Sequence, residues 1–481
     1  MASITSLGIG SGIDINSMVS QLVALERRPL EQMRSEAKRL ETQVSSLGKM
    51  QSLMAALQDA ANALNGNSLW TRSTATSSDD SAVSPVGGSN AAPGNYVVSV
   101  STLAAPQTVA SGLAFGAATD LVGEGTLTID IGRWSTGAAA FTAKPDTTPV
   151  SVTVSATDTL QTLRDKINAA DAGVQASIVT DASGARLALR SSASGADNGF
   201  RVTASDVDGN AIDDAGLSRV AFDPPSGTTG MLYSQPASNA VATVNGITVE
   251  SASNELSGVI EGITLRLRKT TAAPVDLAVA SDREAVKTAI QAFADAYNEL
   301  ARYIGEQTKY DAGTRVGGPL QGDSAVTGLI GRLRGLIGQT SGAAAGLSRL
   351  SDVGLQLQRD GTLKVDGARL DSALGNLAEL KKAFANNDTL DPANNGFARR
   401  FAALATQVLG VDGSLTTRSE GLKKLISANT AKQERLEDRV ERFRERLVRQ
   451  FTAMDANLSR LQALQSYVSQ QLAALQPKSE S

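Results

Sequence analysis

Residues 436–475 read LEDRVERFRERLVRQFTAMDANLSRLQALQSYVSQQLAAL, and the spacing of their apolar side chains decides the architecture. Leu436, Val440, Phe443, Leu447, Phe451, Met454, Leu458, Leu461, Val468, Leu472 and Leu475 advance by threes and fours, and only the slot at Gln465 is polar. The mean step is about 3.5 residues, the period of a coiled-coil seam rather than of a wide globular face. Glu434, Glu437, Asp438, Glu441 and Glu445 interleave with Arg442, Arg444 and Arg446. At helical spacing such alternation is a solvated, ion-paired face, which argues against a nucleic-acid surface.

A second seam stands at the other end of the chain. Asp14 is placed to cap a helix in which Ile15, Val19, Leu22 and Leu25 follow at steps of three and four until Pro29, where a break is predicted. The stripe resumes as Met33, Ala37, Leu40, Val44, Leu47, Met54, Leu57, Ala61 and Leu64, with Gln51 in one slot. Asn65-Gly66-Asn67 is its stop signal. Seams this narrow bury few apolar rows as a lone pair, so association of several copies is expected.

Between the seams lies a different polymer. Residues 74–260 carry 8 basic and 18 acidic side chains, a net charge of −10, within a chain whose total is −4. Short β runs are predicted at 96–102, 125–131, 150–154, 174–180, 186–190, 240–249 and 263–269, with Asn245-Gly246 as a two-residue hairpin turn. One helix, 160–170, interrupts them, capped by Asp158 or Thr159. From Asp282 the period returns to 3.6 through Val286, Ile290, Phe293, Tyr297, Leu300 and Ile304. Further helices are predicted at 324–338, 366–374 and 396–409, and a small hairpin around Asp360-Gly361. The fold class is therefore α+β, elongated and multidomain: about 180 residues of β structure inserted into a helical scaffold whose two ends pair across the insertion.

Composition narrows the chemistry. The 481 residues include no histidine and no cysteine, which removes disulfides, thiol nucleophiles, imidazole bases and thiolate or imidazole metal ligands. Aromatic residues are 4%, so Ala, Val, Leu and Ile carry the burial. No apolar run is long enough to span a bilayer, and no basic and apolar leader opens the chain. Gly8-Ile-Gly10-Ser-Gly12 lacks the preceding strand and the lysine of a phosphate loop. Asp206-Val-Asp208-Gly209-Asn210 with Asp213-Asp214 is carboxylate-rich but fails the spacing of a calcium loop, so it reads as a solvated turn. No enzyme activity, cofactor, metal, nucleic acid or membrane insertion is expected.

Several motifs together resemble the bacterial flagellar filament cap family, also called hook-associated protein 2. They are residues 6–14 (SLGIGSGID), 18–22 (MVSQL), 26–29 (ERRP), 242–247 (ATVNGI), 253–256 (SNEL), 262–267 (GITLRL), Phe293, Tyr297-Asn298, 318–323 (GPLQGD), Gly354, 360–363 (DGTL), 450–455 (QFTAMD) and 465–467 (QSY). Residues 159–195 are similar to a repeat of flagellin and hook-protein β domains. The resemblance implies a secreted, extracellular, non-enzymatic ring homo-oligomer, a pentamer on the filament, that sits at the filament tip and assists insertion of exported flagellin. Implied partners are further copies, flagellin, the hook–filament junction proteins and an export chaperone at the C-terminal end. It also implies a division of the chain. Residues 1–40 form a flexible coiled-coil segment, 41–72 a leg helix and 282–425 the helical leg, with 426–481 a C-terminal coiled coil. Residues 73–105 and 236–281 form an inner β domain, and 106–235 a variable outer β domain. The terminal seams, namely Ile15, Val19, Leu22 and Leu25 with Leu436 through Leu472, are the expected assembly interface. An adhesin that binds mucin or host glycans through the β head is the alternative reading. Flagellin itself, or another hook-associated protein, would carry different terminal motifs.

Overall fold

The computed structural model describes residues 14–474 apart from 214, 229 and 314; Leu475, the glycine-rich run 8–12 and most of the 6–14 motif lie outside them. The chain forms two compact units, one from its two ends (up to Gly66 and from Val286 onward), the other from Asn67–Ala285. Mixed helix and sheet, with long terminal helices, agree with the α+β class read from the sequence.

Two long helices frame the first unit. The N-terminal helix runs Ile15–Asn65, and the Asp14 carboxylate accepts from the Ser17 amide at 2.9 Å at its start. The predicted break at Pro29 does not occur, since Pro29 lies inside this helix. Proline removes one backbone hydrogen bond and crowds the preceding turn. Here it sits on the exposed side, while Val23 and Leu30 on either side of it are buried. Anchoring of both flanks against the partner helix holds the backbone in register. The C-terminal helix runs Ser414–Ala474 without interruption. The two are antiparallel: Gln51 meets Thr416, Arg34 meets Glu437 and Glu26 meets Arg439.

The helix Arg283–Thr308 buries Val286, Ile290, Phe293, Tyr297, Leu300 and Ile304, the stripe expected from spacing. Phe293 packs edge-on against Phe401 at 5.1 Å and Phe384 at 6.4 Å. Phe293, Tyr297, Phe384, Phe397 and Phe401 thus form one connected group of ring contacts in this core. The predicted hairpin pairs Leu355–Leu357 with Leu363–Val365. Helices Ser324–Gly338, Leu350–Val353, Gly367–Ala373, Leu377–Ala385 and Phe397–Leu409 also belong to the unit.

The second unit holds two hydrophobic cores. One lies between a five-stranded sheet, in the order Ser73–Ser77, Val275–Ser281, Gly94–Thr102, Ala240–Val244, Ile247–Ser251, and a three-stranded sheet of Glu255–Ile260, Ile263–Leu267 and Val83–Gly87. All pairings are antiparallel, and the entering strand Ser73–Ser77 pairs with the leaving strand Val275–Ser281. An ion pair of 2.8 Å between Arg72 and Asp282 closes that entrance. The Asn245-Gly246 turn has φ of 47° and 82°, as a tight hairpin between Val244 and Ile247 requires. The other core is built from residues 109–231. Its strands Gly125–Trp134 and Gly199–Asp206 pair over their length, Gly184–Ser191 pairs with Val174–Asp181, and the helix Leu160–Ala169 starts at a Thr159 capping box.

Strands Ser73–Ser77, Val83–Gly87, Thr108–Ser111, Phe141–Ala143, Gly199–Asp206, Met231–Gln235, Glu255–Ile260 and Val275–Ser281 were not anticipated from the sequence. Most are short, polar or broken by Pro85, so their strand state comes from a neighbour's backbone rather than from their own propensity.

Candidate assembly interface

The terminal seams meet in one cluster. Ile15, Val19, Val23 and Leu30 of the N-terminal helix pack with Leu436 and Val440 of the C-terminal helix. Met33, Phe443, Leu447, Val448 and Phe451 pack against them, partly buried. Two ion pairs lie along the cluster, Arg34–Glu437 at 2.8 Å near one end and Arg439–Glu26 at 2.5 Å within it. Both are half exposed, so each contributes about 0.2–1 kcal/mol and acts mainly on register.

Of the N-terminal residues read as the seam, Ile15 and Val19 are buried, but Leu22 and Leu25 are 39% and 54% exposed. Val23 and Leu30 occupy the buried row instead. The Leu22-Val23 pair leaves the stripe ambiguous at that point. Assuming that Pro29 ended the helix also hid Leu30, whose position resolves the ambiguity.

On the C-terminal helix, burial fades in one direction. Leu436 and Val440 are buried, Phe443, Leu447, Phe451 and Leu458 are half-buried, and Met454, Leu461, Val468 and Leu472 are exposed. Leu464 and Tyr467, absent from the expected seam, are exposed too. The antiparallel register explains the gradient. Residues near 26 lie opposite those near 439, so the first residues of the N-terminal helix lie opposite Phe451. Beyond it the C-terminal helix continues for about 35 Å, at 1.5 Å per residue, and faces no other helix among the described residues. Met454, Leu461, Leu464, Val468 and Leu472 form an exposed apolar row along this stretch.

The other carboxylate-rich feature has no such opening. In the 206–213 turn, Asp213 accepts from the Ser218 hydroxyl and the Ala215 amide, and Asp208 accepts from the Asn210 amide. Asp214 lies outside the described residues. Among those residues no cluster of three metal-ligating side chains is found, and no helix is long and apolar enough to cross a membrane.

The motifs that resembled a family have structural roles here. The Tyr297 hydroxyl donates to the Gly361 carbonyl at 3.1 Å, and Asn298 bonds the Leu363 backbone twice. Asp323 caps the helix Ser324–Gly338 and accepts from Arg418 at 2.6 Å. Gly354 has a φ of 103°, a conformation only glycine adopts freely, where the chain turns into the hairpin.

Residues 11–107 match the family described as Flagellar hook-associated protein 2 N-terminus, and residues 237–463 its C-terminus counterpart. Residues 140–193 match the Flagellin hook IN motif, which overlaps the 159–195 repeat. The chain is 31% identical to the B-type flagellar hook-associated protein 2 of Pseudomonas aeruginosa, covering 98% of each chain. It is 30% identical to the flagellar hook-associated protein 2 of Escherichia coli, again over 98% of each. Among solved structures, the D1-D2-D3 domains of the flagellar cap protein FliD from Escherichia coli superpose with a TM-score of 0.63 at 27% identity. The match covers 79% of this chain and 99% of that one. Matched at both ends, aligned over nearly its whole length and similar in fold, the chain belongs to the flagellar hook-associated protein 2 family.

Proposed function

We propose that this protein is a flagellar filament cap, a secreted structural subunit that acts as a ring of identical copies at the distal tip. There it promotes the ordered insertion of flagellin and prevents its loss as monomer. The observation that carries this reading is the apolar row Met454, Leu461, Leu464, Val468 and Leu472, which extends past the paired part of the terminal helices. Among the described residues nothing in a single subunit covers that row; several copies side by side bury it, and at a period near 3.5 they do so as a bundle.

The pairing geometry suits a cap that must shift as each subunit is added. A row of single apolar side chains would make contacts that are small and repeated rather than concentrated in one tight patch, which favours fast exchange. A cysteine-free chain also passes unfolded through an export channel with no disulfide to break. Five copies, contacts with flagellin and the hook–filament junction proteins, and a chaperone that covers the C-terminal row before export complete the proposal.

The experiment is deletion and complementation. Cells lacking the chain should shed monomeric flagellin and grow no full filament, and the unaltered gene should restore it. A normal filament in the deletion strain would overturn the reading.

A further inference from the structure

In the helical unit, the helices Ser324–Gly338 and Phe397–Leu409 border a groove of about 750 Å³. Its floor includes Leu336, Ala403 and Leu404, and its rim carries three guanidinium groups, Arg332, Arg399 and Arg400, with no carboxylate among the lining side chains. Arg400 is committed to the fold, donating to Asn395, Thr340 and Ala393 carbonyls and to Gln339. Arg332 reaches Ser414 at 3.1 Å. Arg399 differs: its Nε is occluded from water and has no hydrogen-bond partner. A shielded cationic donor left unpaired is costly, and the cost falls when an acceptor enters. Asp391, the acidic residue whose field reaches Arg400, uses its own carboxylate to cap the Ala393 amide.

The complement is found in the other unit. The turn at 206–213 exposes two large apolar side chains, Val207 at 77% and Ile212 at 50%, beside exposed Asp208. Behind them both carboxylate oxygens of Asp206 are occluded and unpartnered. Burial first, and then the hydrogen bond and charge of the neighbouring Asp208, push the Asp206 carboxyl above its ordinary range. It belongs to the segment 74–260, whose net charge is −10, whereas residues 261–481 sum to +5.

We propose that the 206–213 turn of one copy docks into the Arg332–Arg399–Arg400 groove of a second copy, with Val207 and Ile212 on the apolar floor and Asp208 facing Arg399. Such a contact joins two different surfaces, so it is heterologous and propagates head to tail until a ring closes. It rests on the self-assembly reading only in requiring that copies meet, and it involves neither terminal helix row.

The absence of native cysteine makes the test direct. Two full-length chains, one carrying Ala403→Cys in the groove and one Ile212→Cys in the turn, are mixed and treated with a short bismaleimide. The expected result is a cross-linked pair in the mixture, reduced about tenfold or more by Arg399→Glu. Pairing of the Arg399→Glu groove chain with Asp208→Arg in the turn chain should restore it. Arg399→Gln, which keeps the size of the side chain, should lower the yield without altering circular dichroism. The contact is overturned if no cross-link forms, if Arg399→Glu leaves it unchanged, or if Val411→Cys outside the groove links to Ile212→Cys equally well. It is also overturned if a chain carrying both cysteines links only within itself. Failure of capping in tail variants with this cross-link intact would separate the two proposals.

Discussion

Asn298 holds Leu363 by both of its backbone polar groups: its amide nitrogen donates to the Leu363 carbonyl at 2.8 Å and its amide oxygen accepts from the Leu363 amide at 2.6 Å. A side chain on one helix thus imitates a neighbouring strand and fixes the hairpin at 355–365. Asn298→Ala leaves a buried donor and acceptor unpaired, at a cost of about 2–4 kcal/mol. Thermal denaturation should show it as a large loss of melting temperature, and a change within the scatter of surface variants would refute the strand-mimic role.

The adjacent residue gives a pH signature. Burial pushes the Tyr297 phenol up to about 12, so the unfolded chain releases this proton near pH 10 while the folded chain keeps it. Stability from this group is complete below pH 10 and is lost as pH rises from about 10 to 12. Denaturant midpoints measured across that window should fall, and the fall should be smaller in Tyr297→Phe. Identical profiles would exclude the phenol as a contributor.

Asp158 has the opposite sign. The Lys166 ammonium, then the Ser155 amide and hydroxyl, hold its carboxyl well below the usual range. Its contribution is full above about pH 4, the unfolded value, and disappears as pH drops through the lower folded value. Asp158→Asn should therefore destabilise the Asn67–Ala285 unit at pH 7 by about 1–3 kcal/mol and make its acid unfolding less steep. Equal stability at pH 7 would count against the assignment.

Along the N-terminal helix, neighbouring leucines should respond unequally. Leu30→Ala empties a site that is 3% exposed and should cost about 2–4 kcal/mol, whereas Leu25→Ala at 54% exposure should stay within about 0.5 kcal/mol. Pro29→Ala restores a helical hydrogen bond and should stabilise by about 1–3 kcal/mol. Helix content and melting temperature read all three; a destabilised Pro29→Ala would refute a cost of proline at this position.

Tail variants test assembly apart from folding. Leu461→Asp with Val468→Asp alters only exposed positions, so the monomer should melt as the wild type does while the sedimentation coefficient falls and capping is lost. Val440→Asp, at a buried site, should instead disrupt the helix pair. Wild-type assembly of the doubly charged tail would remove the row from the interface.

The helical period from Leu436 onward, the stripe from Val286 to Ile304, the Asn245-Gly246 turn and the helix start at Asp158 or Thr159 were all legible because each is a local signal written within one or two turns of chain. The motif residues Tyr297-Asn298 and Asp323 were visible too, though not their work, since Leu363 and Arg418 lie far away in sequence. Which of Leu22 and Val23 faces inward, and whether Pro29 breaks the helix, depended on a partner helix more than 400 residues along the chain. The sequence by itself determined the α+β plan and the two long terminal helices, and it excluded the chemistry of histidine and cysteine. Only the tertiary structure decided which stretch of the C-terminal helix the N-terminal helix covers among the described residues. A period specifies a face, but the length over which that face is covered follows from register, and register is settled by contacts distant in the chain.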